Sequence, residues 1–543
     1  MFILAIQINI NMKKNFLLPL IITLVVSSST VQSQNSWSQT YPISSSLGEE
    51  LNDMARLPGN GFISVGSITT DTIGNHDILL MRCDQNGNLV WSKQFNGGSN
   101  EVGESIDLFP TGGFVIASTK SNTTQSSAEV LITRTDSIGN ILWTQNFTTN
   151  GNDVVKQLAV LSDGKIIVAG STIFCQNAFT CGFAMLLDSN GVALWSRSFE
   201  KESSNYFLDV IATSDGGFLF SGSTFDIFTG QNGWAVKTDS MGVLTWSNTF
   251  DAPSLDVFYK ATENLNLQNY AFVGETTVDA FSNSDALLVV SDYTGAYLIG
   301  GSAGGVENDR ATGIHAGAFG NFIMTGQTDI DTLFQTYAQG LSLEVDIATG
   351  NINNAVTIGD RVSNTFIKSS AVDNQGMILL GGFGDQFSGN KNQIFAIQKN
   401  SIPNTVCFEN GITQLTNILA YTDNFLVDTA SIVFSSMSLG LNIIPVAQVD
   451  SFVCGTTSLN ENSNHSIISL YPNPSSGKFQ LSGLNGNNVL INMYDHMGRI
   501  VCSKNNITSD TIIDLTNQSS GIYLIQITGS NFNQAIRYTL IND

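Results

Sequence analysis

Ser214-Asp-Gly-Gly-Phe-Leu-Phe-Ser-Gly-Ser-Thr224 opens with turn chemistry and continues as a strand. Asp bonds its own backbone two residues on, and Gly supplies the positive φ of a tight turn. Phe218, Phe220 and Gly222 then recur with the period of two of a strand. Steps of 52 residues from Gly222 reach Gly170, Ser118 and Gly66 on one side and Gly274 and Gly326 on the other, with Gly382 after a slightly longer interval. Seven copies result: Gly61–Ser67, Gly113–Thr119, Lys165–Thr172, Gly217–Thr224, Tyr270–Thr276, Asn321–Thr328 and Met377–Phe383. Self-similarity at this period, carried by strands without helical periodicity, reads as propeller blades.

Each repeat holds further strands. One is apolar and ends in Asp, as in Asp77–Asp84, Ala128–Asp136, Gly182–Asp188, Gly233–Asp239 and Asp285–Asp292. A turn with Gly87, Gly139, Gly191, Gly242 or Gly295 follows, then a strand bearing Trp91, Trp143, Trp195 or Trp246, with Ile299 and Asn353 in the last repeats. The fourth strand precedes the Gly strand, as in Glu104–Phe109, Val155–Leu161 and Phe207–Thr213. Short turns join strands of one sheet and longer chain crosses to the next, so each blade runs from the Glu104-type inner strand to the outer Trp strand. Trp37 then has no blade of its own, and we expect it to pair near Gln393–Gln398 and close the ring, which removes a sheet edge.

With 543 residues, 12% of them charged, the chain is expected to form more than one domain built of many short strands. A net charge of −23 disfavours nucleic acid as a partner. Lys13-Lys14 followed by the apolar run Phe16 to Val26 reads as a secretory signal peptide over residues 1–33, with Met12 a better start than Met1. Nothing later offers a transmembrane span, and we expect a monomer. Export permits disulfides. Bridging Cys175 to Cys181 would stabilise by about 2 kcal/mol and bridging Cys407 to Cys454 by about 4 kcal/mol on the loop-entropy model. Cys83 and Cys502 read as buried apolar residues.

The recurrent Asp-Gly-Gly-[Phe/Tyr] and Asp-x-x-Gly-x-apolar-x-Trp motifs resemble the glycine-rich propeller repeats of secreted bacterial proteins, over about residues 35 to 400. From Ser401 to Asn464 the 52-residue period is lost, and this part reads as a bridging segment and linker. The end, residues 465–543, reads as a small Ig-like β-sandwich. Tyr471-Pro472-Asn473-Pro474, Gly477, Gly498-Arg499 and Gly521-Ile-Tyr523 resemble the type A C-terminal sorting domain of type IX secretion cargo. That resemblance implies partnership with the type IX machinery, passage across the outer membrane, removal of the domain, and release or attachment at the cell surface. Six tripeptides of the type Asp136-Ser-Ile, Asp239-Ser-Met and Asp510-Thr-Ile resemble the O-glycosylation site of bacteria that use this route, and equally read as turns.

Glu49, Glu101, Asp153 and Asp309 recur at the start of inner strands. As a ring of oxygen ligands they would hold calcium, and as turn residues they would bond interblade backbone. Asp71, Asp77, Asp226, Asp279, Asp285, Asp329, Asp331 and Asp385 follow the Gly strands, on the face of the long loops, where a ligand is expected. No catalytic His, Cys or Ser constellation occurs, and no other cofactor is expected. The expected architecture is all-β: residues 34–400 a seven-bladed propeller of four-stranded blades, residues 401–464 a bridge, then the sorting domain. The expected role is non-catalytic binding of an extracellular glycan or protein, with a polysaccharide hydrolase or lyase, or a structural surface protein, as alternatives.

Overall fold

The structure, a computed structural model, describes residues 37–540 apart from short gaps, and between residues 399 and 469 it describes backbone strands only. The expected signal peptide lies outside the described residues. No helix occurs among the described residues, so none is long and apolar enough to cross a membrane. The chain divides into two compact units, Met1–Thr456 and Thr457–Asp543.

The first unit is a β-propeller. Its strands form seven four-stranded antiparallel sheets, one per repeat. Sheet 4 is typical, running Ser204–Ala212, Phe218–Asp226, Gly230–Thr238 and Leu244–Asp251 in spatial order. The inner strands are Gly48–Arg56, Asn100–Leu108, Asp153–Val160, Ser204–Ala212, Asp256–Asn264, Asp309–Ala316 and Thr365–Val372. Each packs beside the next, and the seventh beside the first, so the ring closes. Trp37–Thr40 is the outer strand of sheet 7, with Trp37 opposite Gln398 and Thr40 opposite Phe395. Apolar clusters fill the spaces between neighbouring sheets, as where Ala169, Phe199, Phe207, Phe220 and Trp234 join sheets 3 and 4.

Two roles for glycine explain the motif. Every inner strand carries a bulge at the same repeat position, between Leu51 and Asp53 in sheet 1 and between Phe207 and Asp209 in sheet 4. The bulge drives a carbonyl of the inner strand into the Gly strand. A Cβ on Gly222 would lie 1.9 Å from the Tyr206 oxygen, and one on Gly326 2.0 Å from that of Arg310. In sheet 2, where Ser118 replaces this Gly, its partner in the register is Gly103. The turn glycines act differently. Gly191 has φ +81°, and a Cβ there would meet the Trp143 ring of the preceding sheet at 2.9 Å. Gly87 meets Trp37 in the same way, Gly139 meets Trp91, Gly242 meets Trp195 and Gly295 meets Trp246. Thus Asp-x-x-Gly and the Trp of the repeat before form one joint between sheets. Ile299 stands at the Trp position of sheet 5, and a Cβ on Gly350 of sheet 6 would meet nothing within 4 Å. The register sets Asn354, not Asn353, at the Trp position of sheet 6, because the outer-strand bulge falls on Asn353.

The bridge is more than a linker. Six short strands, Phe408–Glu409, Thr416–Asn417, Tyr421–Asp423, Asp428–Ser431, Ser435–Ser438 and Asn442–Pro445, pair antiparallel with the outer strands of sheets 6, 5, 4, 3, 2 and 1 in turn. The segment therefore runs back around the ring as a belt, adding a fifth strand to each of these sheets. Tyr421, Asp428, Ser435 and Asn442 face Asp251, Glu200, Thr148 and Asn96. These partners all lie five residues after the Trp of their repeat, and the four belt residues are seven apart. A seven-residue period thus replaces the 52-residue one. It is visible as Gln414-Leu-Thr-Asn-Ile-Leu-Ala, Tyr421-Thr-Asp-Asn-Phe-Leu-Val and Asp428-Thr-Ala-Ser-Ile-Val-Phe.

The second unit holds two sheets. One contains Ser469–Tyr471, Lys478–Ser482 and Thr511–Asp514, the other Val489–Tyr494, Ile500–Ile507, Gly521–Thr528 and Asn533–Leu540. Phe479, Leu481, Ile491, Met493, Ile513, Tyr523, Ile525 and Tyr538 form its core, as expected of a sandwich.

Candidate functional site

The bulge residues of the seven inner strands are Asn52, Glu104, Lys156, Leu208, Tyr259, Thr312 and Lys368. A bulge re-aims a side chain that would otherwise face a neighbouring strand. Here it brings charges from different sheets together. Lys156 of sheet 3 donates to Glu104 of sheet 2 at 3.1 Å. Tyr259 of sheet 5 donates to Glu275 at 2.6 Å, and Arg310 of sheet 6 bonds the same phenol. Burial first, then Glu275, pushes that phenol well above its ordinary range. Lys368 of sheet 7 lies over the Phe383 ring, 5.6 Å from its centroid, and is exposed. Partial enclosure depresses its ammonium group, with Arg310 and Lys156 acting in the same sense and Glu50 and Glu104 opposing them. Lys368 of sheet 7 therefore feels the charges of sheets 1, 2, 3 and 6.

The next level toward the tight turns is a polar floor. Lys260 donates to Asp209 at 3.1 Å and to Gln157 of a further sheet. Burial alone would lower its pKa, but Asp209 and Asp53 outweigh burial and raise it. Around it, inner strands clasp one another. Asp53 accepts from the Ile106 amide at 3.0 Å, Ser105 from Leu158 at 3.3 Å, Asp209 from Ala261 at 2.8 Å, and Ser369 from Met54 at 3.1 Å. His315 bonds Ser370 at 2.9 Å, and burial lowers its pKa to about 4, helped by Lys260. Hydrogen bonds thus tie inner strands of different sheets together at this level, and Glu50 lies on the long-loop side of it.

The carboxylates singled out from sequence lie away from this cluster. Glu49 accepts from the Ile43 amide at 3.1 Å, Glu101 from those of Gly97 and Ser99, and Asp153 from that of Thr149 at 2.7 Å. Asp309 is buried. Each stands in its own sheet. Among the described residues the one group of three potential metal ligands within reach of each other is Cys175, Cys181 and Glu200. There the two sulfurs form the expected disulfide, and Glu200 accepts the amides of Gln176, Asn177 and Ala178. Asp77 is buried and accepts from Gln94 and Asn96; Asp285 accepts from Ser302 at 3.0 Å, Asp329 from Gln327 at 2.9 Å, and Asp385 from the Asn364 amide at 2.6 Å. Asp226 is half-buried. Asp71, Asp279, Cys407, Cys454, Pro472, Asn473, Pro474 and Gly498 lie outside the described residues, as does the side chain of Asp331. Glu104, Lys156, Tyr259, Arg310 and Lys368 escaped sequence reading because four different residue types fill or neighbour one repeat position. The signal that finds them is place: in six of the seven repeats the bulge residue lies 14 residues before the Gly of the Gly strand, or Ser118 in its place.

Residues 469–541 match the secretion system C-terminal sorting domain. The end of this chain is such a domain, and it directs export through the type IX route to the cell surface or the medium. Tyr471 of its motif is exposed, Gly477 has φ +113°, Arg499 is exposed, Gly521 opens a strand, and the Tyr523 hydroxyl donates to the Ser519 carbonyl at 2.6 Å. No curated protein sequence matches the chain. Solved structures similar to it include Sqt1 from Chaetomium thermophilum, at 10% identity and TM-score 0.38, covering 67% of this chain and 100% of that one. The β-propeller domain of the Trilobed protease from Pyrococcus furiosus is similar at 10% identity and TM-score 0.36, covering 66% and 97%. An α-L-arabinofuranosidase from Fusarium graminearum is similar at 8% identity and TM-score 0.35, covering 67% and 98%.

Proposed function

We propose that this exported propeller is a non-catalytic binder of extracellular glycan, and that the ligand enters from the long-loop side onto Glu50, Glu104, Lys156, Tyr259, Arg310 and Lys368. The observation that supports this reading is that Lys368 feels charges of four other sheets. Sugar hydroxyls donate and accept at once. A site alternating carboxylates with ammonium and guanidinium groups answers both roles, and Tyr259 and Phe383 add aromatic surface. Glu104 is paired with Lys156 and Glu275 accepts from Tyr259, so both carboxylates already have protein partners.

A glycan-array screen of the secreted protein, run beside an assay for new reducing ends, tests the proposal. Binding without release is expected, weakened about tenfold or more by Lys368→Met, which removes one charged contact. Release of reducing ends would sink the binder in favour of a polysaccharide hydrolase, for which Glu50 and Glu104 are the carboxylates to replace first.

A further inference from the structure

The long loop of sheet 3, Ile173-Phe-Cys-Gln-Asn-Ala-Phe-Thr180, is tied down almost residue by residue. Cys175 is bonded to Cys181, and the Phe174 amide donates to the Thr172 hydroxyl at 3.0 Å. Glu200 accepts the next three amides, those of Gln176, Asn177 and Ala178. The Phe179 amide donates to the Ser203 carbonyl at 2.8 Å. The Thr180 carbonyl accepts from the Asn205 amide at 2.9 Å and from its side chain at 3.0 Å. Thr180 thereby pairs with Ser204, whose other side faces Phe225. Ser204 opens the inner strand of sheet 4, so the loop crosses to the free inner edge of the neighbouring sheet. What this frame presents is apolar. Phe179 is 81% exposed, more than any other large apolar side chain among the described residues, and Phe174 is 56% exposed. Gln176 and Asn177 between them are exposed too, and no residue from 173 to 180 is charged. Rings held out in water add nothing to the core, and a fixed backbone needs no ordering when a ligand lands on it.

We propose that this loop is a second binding site, a platform on which Phe174 and Phe179 stack neutral sugar units of a polysaccharide. The proposal rests on the glycan reading above and adds to it the class of sugar and the length of the ligand. The flat faces of a sugar ring carry C–H groups that pack on an aromatic ring, while the hydroxyls at its edge donate and accept. The amides of Gln176 and Asn177 can do both. A platform without charge has nothing to pair with an acidic sugar. It also lacks the complementary charges by which a protein partner is steered and held in register. Thr180 stands beside Ser204, four residues before the bulge residue Leu208. The platform therefore lies about 13 Å along the strand from the repeat position of Lys156 and Lys368. A single sugar ring does not span that distance. The ligand is a chain, with one part at Lys368 and another on the platform.

Affinity electrophoresis of the secreted protein tests this, in gels holding galactomannan, laminarin or hydroxyethylcellulose as neutral polysaccharides and alginate as an acidic one. Retardation is expected in at least one neutral gel. Phe174→Ala/Phe179→Ala should bind that polysaccharide about tenfold more weakly or worse. Phe174→Tyr/Phe179→Tyr, which keeps both rings, should match the wild type. Both positions are exposed, so the thermal midpoint of either variant should stay where it is. Lys368→Met separates the platform from the reading on which it rests. Loss of retardation in Lys368→Met with none in the double alanine variant overturns the platform and keeps that reading. Loss in the double alanine variant with none in Lys368→Met supports the platform and overturns that reading. Retardation by alginate alone overturns the neutral ligand, and no retardation in any gel overturns both.

Discussion

Joints between the early sheets and joints around sheet 6 solve one problem in two ways. From sheet 7 through sheets 1 to 5 the outer joint is a Trp ring laid on the turn glycine of the next sheet. At four joints, 7/1, 1/2, 2/3 and 4/5, the inner clasp is a side chain at the repeat position of Asp53 taking an amide of the following sheet. Around sheet 6 both devices change. Ile299 leaves Gly350 uncovered, Lys260 reaches backward to Asp209, and Gly313 stands at the clasp position. A Cβ on Gly313 would lie 2.5 Å from the Ser370 hydroxyl, which here bonds His315 and Thr325 instead. The teaching is that the bulge, common to all seven inner strands, is the fixed part of the design, and the clasps are replaceable.

That contrast can be broken where it is strongest. Gly222→Val and Gly326→Val, one on each side of the contrast, should both lose about 4 kcal/mol or more in chemical denaturation, because a Cβ meets backbone that cannot retreat. A much smaller loss at Gly326 would mean that the bulge too has relaxed in sheet 6.

The 6/7 joint should carry an acid sensitivity that the others lack. His315 has its folded pKa lowered to about 4, so the stability it contributes is fully present above the unfolded value near 6.5 and is lost as pH falls between the two. Over that window the wild type should lose about 3 kcal/mol relative to His315→Gln. Parallel denaturation curves at several pH values check this, and coincident pH profiles of the two proteins would remove His315 from the account.

Turn glycines sharpen the comparison further. Gly191→Ala and Gly350→Ala share the cost of a positive φ, about 1 kcal/mol. Gly191→Ala also pushes against Trp143 and should lose about 1–2 kcal/mol more, as overpacking does. Equal losses would show that the Trp yields freely. The smallest effect expected is a gain. Ile299→Trp, which would lay an indole over the open Gly350, should add about 1 kcal/mol. Thermal unfolding measures it, and a loss of stability would show that sheet 6 has closed that space by other means.

Legibility followed repetition. Gly222, its turn at Asp215 and its copies stood out in the sequence because sheets demand the same residue wherever the same backbone approach recurs. The pairing of Trp37 with the last repeat followed from counting strands. The sorting domain was legible from Tyr471 to Tyr523 because its motifs are residue-specific. The belt was not. Strands of two to four residues show no alternation, and what repeats every seven residues is a register against other sheets, which local periodicity does not report.

By itself, then, the sequence determined the repeat, the four strands of each sheet, the closing strand and the export address, because each is written in local turn chemistry or in a fixed motif. Only the tertiary structure decided what meets at the axis. Glu104, Lys156, Tyr259 and Lys368 put three residue types at one repeat position, and Asp77 and Asp385, which looked available, are taken up by their own sheets. A bulge turns one residue per sheet toward a common centre, and its consequence depends on the neighbours that the other sheets bring there.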